Sequence, residues 1–306
     1  MGRGSYRASD WMALKTSRKL SGDTTEVQMF ESRVAEASIR SDMIGMRECF
    51  DNEDSPESTP VIVGFDVTAS MGYLAKEIAT NSLNNMISKI LSNKAVSDPQ
   101  VLCAAIGDVK SDRFPLQVTQ FESDIRMVRE LLTLCLEGGG GGNGGESYNL
   151  LWYFASRHTV TDNYNKRKKR GILFTIGDDR CHAELTRAEI SHAFRDNVPY
   201  NISNEELIRE VSSRYDIFHL YIENDTAVDR EVFSYWNDLI PGRFAPINKK
   251  DISLLSDIMV AIMQLNSGRS HNEVLHDMDQ DLAERLSRSL SFIETDDKQD
   301  NNTISF

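Results

Sequence analysis

The chain has 306 residues, 40% of them apolar and 26% charged, which is typical of a water-soluble globular protein with one large domain and extensions. Its 34 basic and 47 acidic side chains give a net charge of −13, which argues against a general nucleic-acid binder or a protein of anionic membranes. The four cysteines lack CxxC spacing, and the sequence shows neither an apolar signal region nor an apolar stretch of roughly 18 residues. We therefore expect a cytoplasmic protein with reduced thiols.

Residues 1–58 are polar, of mixed charge and poor in strand signals. They lead into a stretch at 51–60 that is rich in Asp, Asn, Ser and Pro and predicts a loop. The side chains of Tyr6 and Trp11 favour burial, so we expect an N-terminal arm, only partly ordered, that lies on the domain.

From residue 59 onward, strand and helix patterns alternate. Short continuous apolar runs predict strands buried on both faces, at 61–66, 101–107, 171–177 and 216–222. Weaker patterns predict an edge strand and a short strand, at 116–121 and 243–246. Apolar residues at helical spacing predict the helices, at 74–91, 125–136, 148–157, 184–195, 204–213, 230–239 and 252–265. This alternation predicts an α/β fold with a doubly wound, Rossmann-like, mostly parallel sheet, one antiparallel edge strand and helices on both faces.

The apolar pattern fades after Asn266, and residues 271–306 contain nine acids and three bases. A segment of this composition favours disorder. The predicted organisation is therefore an arm at 1–58, a domain at 59–268 and an acidic, disordered tail at 269–306.

Polar residues gather where an open α/β sheet binds its ligands, at the carboxyl ends of strands. Asp66, Thr68 and Ser70 alternate directly after the first buried strand, so one extended loop can point three oxygens at one place. Carboxylate and hydroxyl oxygens suit a hard cation such as Mg²⁺. Helix capping by Thr68 or Ser70 is the alternative, but capping accounts for only one hydroxyl.

Two further clusters contain acids. A glycine tract at 138–145, interrupted by one Asn, is followed by Glu146, which by itself is explained as a first-turn acid of the next helix. The tract lacks the lysine of a P-loop and a preceding strand, which argues against phosphate binding.

Asp178 and Asp179 follow another buried strand, where Asp178 is placed to complete an oxygen site directly or through water. His182 is either a ligand or a histidine bonded to a backbone carbonyl, and no pattern places a base beside a nucleophile.

These clusters, in this order on this strand pattern, resemble the von Willebrand factor A (vWA) domain with its metal-ion-dependent adhesion site (MIDAS). The first motif of the family is Asp-x-Ser-x-Ser, which Asp66, Thr68 and Ser70 match with Thr in the middle. Glu146 after its glycines is similar to the integrin β-subunit version of the second motif, and the Phe-Thr-x-Gly-Asp sequence that ends at Asp178 resembles the last. Within the family, these motifs are most similar to those of intracellular bacterial and phage proteins.

The resemblance covers residues 58–268 and implies a non-enzymatic module for Mg²⁺-dependent protein–protein interaction. A partner protein would supply an Asp or Glu to an open position of the metal, with Mn²⁺ or Ca²⁺ as alternative ions. Some family members act beside AAA+ ATPases or in assembly complexes, so we expect a partner of that kind, without membrane or nucleic acid. The implied metal ligands are Asp66, Thr68, Ser70, Glu146 and Asp178, with Asp179 as the alternative to Asp178.

Two other functions stay open at this point. A phosphohydrolase of the haloacid dehalogenase (HAD) type shares the sheet, the Mg²⁺ and an Asp after the first strand, but Thr68 stands where that superfamily usually has a second Asp as general acid and base. Five consecutive bases at 166–170 could neutralise nucleic-acid phosphates. A solvated charged loop is the simpler interpretation of that run.

Overall fold

The computed structural model describes residues 4–19, 24–30, 34–68, 71–93, 95–137 and 145–295. The strands in this part of the chain are β1 (Arg47–Cys49), β2 (Thr59–Asp66), β3 (Pro99–Ile106), β4 (Leu116–Val118), β5 (Thr159–Thr161), β6 (Gly171–Gly177), β7 (Glu184–Leu185), β8 (Ile202–Ser203), β9 (Tyr215–Glu223) and β10 (Phe244–Asn248). The helices are α1 (Ala8–Ser17), α2 (Glu26–Met29), α3 (Gly72–Glu77), α4 (Leu83–Asn93), α5 (Arg126–Leu131), α6 (Tyr148–Arg157), α7 (Asp162–Arg167), α8 (Arg187–Phe194), α9 (Asn204–Val211), α10 (Asp229–Leu239), α11 (Leu255–Asn266), α12 (His271–His276) and α13 (Gln280–Leu290). No helix among the described residues is both long and apolar enough to cross a membrane.

The central sheet has six strands in the order β10-β9-β6-β2-β3-β4. Every neighbouring pair is parallel except β3 and β4, which are antiparallel at one edge. This arrangement confirms the predicted fold class. The chain passes from β2 to β3 and β4 on one side and then returns to β6, β9 and β10 on the other, so the strand order reverses beside β2. The carboxyl ends of β2 and β6 therefore form the crevice where such sheets bind ligands.

Strand β2 is buried because helices cover both faces of the sheet. Along it, Val61, Val63 and Phe65 join one apolar cluster, and Ile62 joins the cluster on the opposite face. At Gly64 the helix α6 packs so closely that an added Cβ would lie 2.2 Å from Cδ2 of Leu151. The apolar run that predicts this strand reflects its position at the centre of the sheet.

The N-terminal residues pack against the domain. Tyr6, Trp11 and Leu14 are buried in the same apolar cluster as one face of β2. Strand β1 pairs in parallel with β5 in a separate two-stranded sheet. The burial of Tyr6 and Trp11 agrees with the sequence-based expectation for these two aromatic residues.

The predicted disordered tail needs correction, because residues 271–276 and 280–290 form the helices α12 and α13. Val274, Leu286 and Leu290 are buried, and Met278 and Leu282 pack partly buried against the same core. These five residues recur every four positions, which is the spacing of an amphipathic helix face. The acidic composition of the segment hides this pattern. The rest of the predicted tail, residues 296–306, lies outside the described part of the chain.

Among the helix boundaries that differ from the predictions, two have a clear local cause. The helix predicted over 125–136 ends at Leu131, and the backbone of Cys135 then makes two 2.8 Å hydrogen bonds with the side chain of Gln117 on β4. The helix predicted over 184–195 begins only at Arg187, because Thr186 and Glu189 form a capping box there.

All four cysteines are free and buried. Burial raises the pKa of the Cys49 and Cys103 thiols to about 12, so neither forms a thiolate readily near neutral pH. This agrees with the expected reduced thiols and argues against a redox role.

Candidate metal site

Asp66 ends β2 at the point where the strand order reverses, and it is completely buried. Its Oδ1 accepts hydrogen bonds from the backbone N–H (2.7 Å) and the hydroxyl (2.6 Å) of Thr68. Its Oδ2 accepts one from the hydroxyl of Tyr148, at 3.1 Å. Because the hydroxyl of Thr68 is the donor in its hydrogen bond to Asp66, the lone pairs of the Thr68 oxygen are free to interact with another partner.

Gly177 makes room for the hydroxyl of Tyr148. A Cβ at Gly177, the last residue of β6, would lie 1.9 Å from that oxygen. Tyr148 is the first residue of α6, so this contact links β6, α6 and Asp66.

Replacing Gly177 with Ala should therefore destabilise the protein by about 1–3 kcal/mol, because the added methyl displaces Tyr148 from Asp66. Urea unfolding measures this loss. Gly72→Ala is the matched control, since a Cβ at Gly72 meets nothing within 4 Å. Equal stability of the two variants would contradict the proposed packing.

Glu146 is held beside the loop that follows β6 by two backbone hydrogen bonds. Its N–H donates to the carbonyl of Arg180 at 2.8 Å, and its carbonyl accepts from the N–H of His182 at 3.0 Å. The residue is only 4% exposed, and within the described part of the chain its Oε2 has no hydrogen-bond partner. A buried carboxylate oxygen without a partner is costly unless something else compensates it.

Asp178 and Asp179 differ in their surroundings. Oδ2 of Asp178 accepts a hydrogen bond from Nδ2 of Asn224 at 2.8 Å, whereas Oδ1 of Asp179 accepts from the N–H of Arg180, its neighbour in the chain. The charge of Asp178 raises the pKa of Asp66, and the charge of Asp179 raises the pKa of Glu146. Asp178 is therefore the carboxylate of this pair that acts on Asp66.

Burial and neighbouring negative charges suppress the ionisation of Asp66 and Glu146. Burial, and then the nearby charge of Asp178, raise the pKa of Asp66 to about 7 against the effect of its hydrogen bonds. Burial and the charges of Asp66 and Asp108 are the main causes that raise the pKa of Glu146 to about 9. We call Asp66, Thr68, Glu146 and Asp178 the acidic site, and a bound cation is what would restore its full ionisation.

Asp108, which was not among the predicted site residues, is fully buried two residues after β3. It lies 2.9 Å from Nε2 of His182 and accepts hydrogen bonds from Ser147 (3.3 Å) and the N–H of Lys110 (3.1 Å). Nδ1 of His182 lies 3.1 Å from Nζ of Lys110, so both ring nitrogens have close polar neighbours. The partner of the His182 ring is thus a carboxylate rather than a backbone carbonyl. The position of Asp108, shortly after a buried strand like Asp66 and Asp178, was the available signal.

The structure brings the predicted ligands together only in part. Asp66 and Thr68 are in direct contact, the charge of Asp178 raises the pKa of Asp66, and the charge of Asp66 raises the pKa of Glu146. Ser70 and the glycines at 138–144 lie outside the described residues. In the described ranges, no three His, Cys, Asp or Glu side chains are grouped closely enough to hold a metal ion. The set fits a hard cation by the chemistry of its oxygen donors and by the unpartnered Oε2 of Glu146.

The basic run at 166–170 is largely engaged in ion pairs. Lys166 and Arg167 pair with Asp51 at 3.2 and 2.8 Å, and Arg170 pairs with Asp216 at 2.8 Å. These contacts support a structural role for the run, in which it joins the N-terminal arm and β9 to the segment before β6.

No protein-family model matches the chain, and a comparison with curated proteins finds no significant match. Among solved structures, the chain is similar to the pilus adhesin SpaC from Lactobacillus rhamnosus GG, with 9% identity and a TM-score of 0.46 over 71% of this chain and 31% of that one. It is similar to proximal thread matrix protein 1 from the mussel byssus, solved with a zinc-occupied MIDAS motif, with 11% identity and a TM-score of 0.43 over 71% and 49% of the two chains. It is also similar to a von Willebrand factor type A structure from Catenulispora acidiphila, with 14% identity and a TM-score of 0.35 over 70% and 44%.

This chain thus matches between about a third and a half of the length of these three proteins. The identities and TM-scores are low, so the assignment of the fold rests on the strand order of this chain. That order is the doubly wound α/β sheet expected from the resemblance to vWA domains.

Proposed function

We propose that this chain is a non-enzymatic interaction domain that binds a divalent cation, Mg²⁺ first of all, and through it a carboxylate of a partner protein. The observation that carries the proposal is the pair of buried carboxylates, Asp66 and Glu146, at the crevice of the sheet. The hydrogen-bond partners of Asp66 in the described part of the chain, Thr68 and Tyr148, are neutral, and Oε2 of Glu146 has none there. Buried carboxylates without a positively charged partner are unfavourable when ionised, and a bound cation would stabilise them.

The residues that would hold the ion are Asp66, Thr68, Ser70, Glu146 and Asp178. When bound, the ion would attract an acidic group of the partner to a coordination position that the protein leaves open. The hydroxyls of Thr68 and Ser70 add no negative charge, so they leave that attraction undiminished. The burial of Asp66 and Glu146 keeps water from screening their charges.

The test is recovery of partner proteins on the immobilised chain in Mg²⁺ and in EDTA, with Asp66→Ala beside the wild type. We expect Mg²⁺-dependent partners with the wild type and none with the variant, whose circular dichroism should stay close to wild type. Asp216→Asn, an acid of β9 whose ion pair with Arg170 lies at the other end of the sheet, is the matched control and should retain them. Recovery that is indifferent to EDTA or to Asp66→Ala would contradict the proposal.

A phosphohydrolase remains the second candidate because it would use the same Asp66. A nucleophilic carboxylate has to reach its substrate, but Asp66 is fully buried and both of its oxygens accept hydrogen bonds. Thr68 donates to Asp66 and offers no acid or base near neutral pH. We therefore expect no hydrolysis of p-nitrophenyl phosphate with Mg²⁺ above the level of Asp66→Asn, and turnover lost in that variant would favour the enzyme.

A further inference from the structure

Three basic residues follow strands at the end of the sheet where the acidic site lies. Lys110 follows β3, Arg180 follows β6 and Lys249 follows β10. These three strands are parallel, so their carboxyl ends lie at the same end of the sheet. We call these three residues the basic rim. Their position stands out in a chain whose net charge is −13.

Lys249 is connected to the acidic site by short contacts with neutral groups. Its ammonium lies 4.4 Å from the ring centre of Tyr73 and 3.5 Å from Oδ1 of Asn224, whose Nδ2 donates to Asp178. Tyr73 is near the site as well, since the charges of Asp178 and Asp66 add to burial in raising its pKa. Lys249 is itself exposed, so its charge faces solvent beside the proposed metal.

Arg180 and Lys110 lie near Glu146. The carbonyl of Arg180 accepts the hydrogen bond from Glu146, and its guanidinium forms a long ion pair, at 4.0 Å, with the exposed Glu231. Its Nε is buried and has no hydrogen-bond partner in the described part of the chain. The exposed Lys110 lies against His182, the residue whose N–H donates to the carbonyl of Glu146.

We infer that the partner binds through an acidic segment, in which the carboxylate that reaches the metal is flanked by further carboxylates that meet the basic rim. This inference rests on the proposed function and specifies the chemistry of the partner. A bound divalent cation attracts one acidic group, whereas further positive charges near it favour a ligand that carries several. The ammonium groups of Lys249 and Lys110 contact a tyrosine ring, an amide oxygen and a histidine ring, which leaves both charges available to such a segment.

The experiment compares two labelled, end-blocked peptides, Gly-Glu-Glu-Asp-Glu-Glu-Gly and Gly-Gln-Gln-Asp-Gln-Gln-Gly, by fluorescence anisotropy in saturating Mg²⁺. At low ionic strength the first should bind the wild type about tenfold more tightly, and the difference should shrink as salt is added. Lys110→Gln/Lys249→Gln should reduce the preference to about twofold. Lys168→Gln/Lys169→Gln removes the same amount of charge just before β6, at the opposite end of the sheet, and should retain the preference. Calorimetry should show that both double variants bind Mg²⁺ at least as tightly as the wild type does.

Failure of this inference can be told from failure of the proposed function. If both peptides bind in Mg²⁺ with equal affinity, or if the preference survives Lys110→Gln/Lys249→Gln unchanged, the inference is wrong and the metal-dependent function stands. If Mg²⁺ binds but neither peptide does, both the inference and the carboxylate-binding function are overturned.

Discussion

Replacing Asp66 with Asn will abolish the stabilisation of this protein by Mg²⁺ and will make the metal-free protein more stable. In the wild type, Mg²⁺ at a hundredfold excess over its dissociation constant should add about 2.7 kcal/mol to the free energy of unfolding. For a domain of this size, that corresponds to a rise in Tm of about 5–10 °C. The variant lacks the charge that draws the ion into the site, so its Tm should not respond to Mg²⁺.

The gain in metal-free stability follows from the burial of Asp66. Its carboxylate is fully buried beside neutral partners, and Asn keeps the shape without the charge. The hydroxyl of Tyr148 accepts as well as donates, so it can bond the new amide. We expect a gain of about 1–3 kcal/mol near neutral pH.

Thermal unfolding with EDTA and with Mg²⁺ measures both effects. Asp216→Asn is again the control, because it removes an acid of the same sheet that pairs with Arg170 and lies 3.5 Å from Arg243. That variant should lose stability and keep its response to Mg²⁺. A full Mg²⁺ response in Asp66→Asn would show that the ion binds elsewhere.

Raising the pH from about 5 to about 9 will destabilise the metal-free protein. The folded-state pKa of Asp66 is raised to about 7 and that of Glu146 to about 9. An acid whose pKa is raised on folding stabilises the fold while it is protonated, and this contribution is lost as the pH rises through the folded-state pKa. The free energy of unfolding in EDTA should therefore fall on the order of 4 kcal/mol over this range.

Urea unfolding in EDTA at several pH values measures this slope. Asp66→Asn/Glu146→Gln should flatten it, because neither replacement side chain titrates. Saturating Mg²⁺ should flatten it in the wild type as well, since the ion favours the ionised carboxylates. Stability in EDTA that stays constant or increases between about pH 5 and 9 would contradict the electrostatics proposed for the site.

The central strands and the residues that end them could be predicted because their signals are local. The predicted bounds of 171–177 and 148–157 agree with β6 and α6, and Asp66 ends β2 as predicted. A strand buried on both faces must be apolar along its length, whatever the order of the strands. The C-terminal helices also have a local signal, a regular spacing of apolar residues. They were not predicted because the acidic composition of the segment outweighed that signal.

The α/β class, the buried strands and the carboxylates that follow them can be inferred from local sequence patterns alone. The hydrogen bond of Tyr148 to Asp66 beside Gly177, the contact of Asp108 with His182 and that of Lys249 with Asn224 are seen only in the folded chain. Each of these contacts joins segments that lie on different strands and helices, so each depends on the order of the strands in the sheet. Periodicity and capping act over a few residues, whereas strand order is set by the packing of the whole chain, and no short stretch of sequence encodes it.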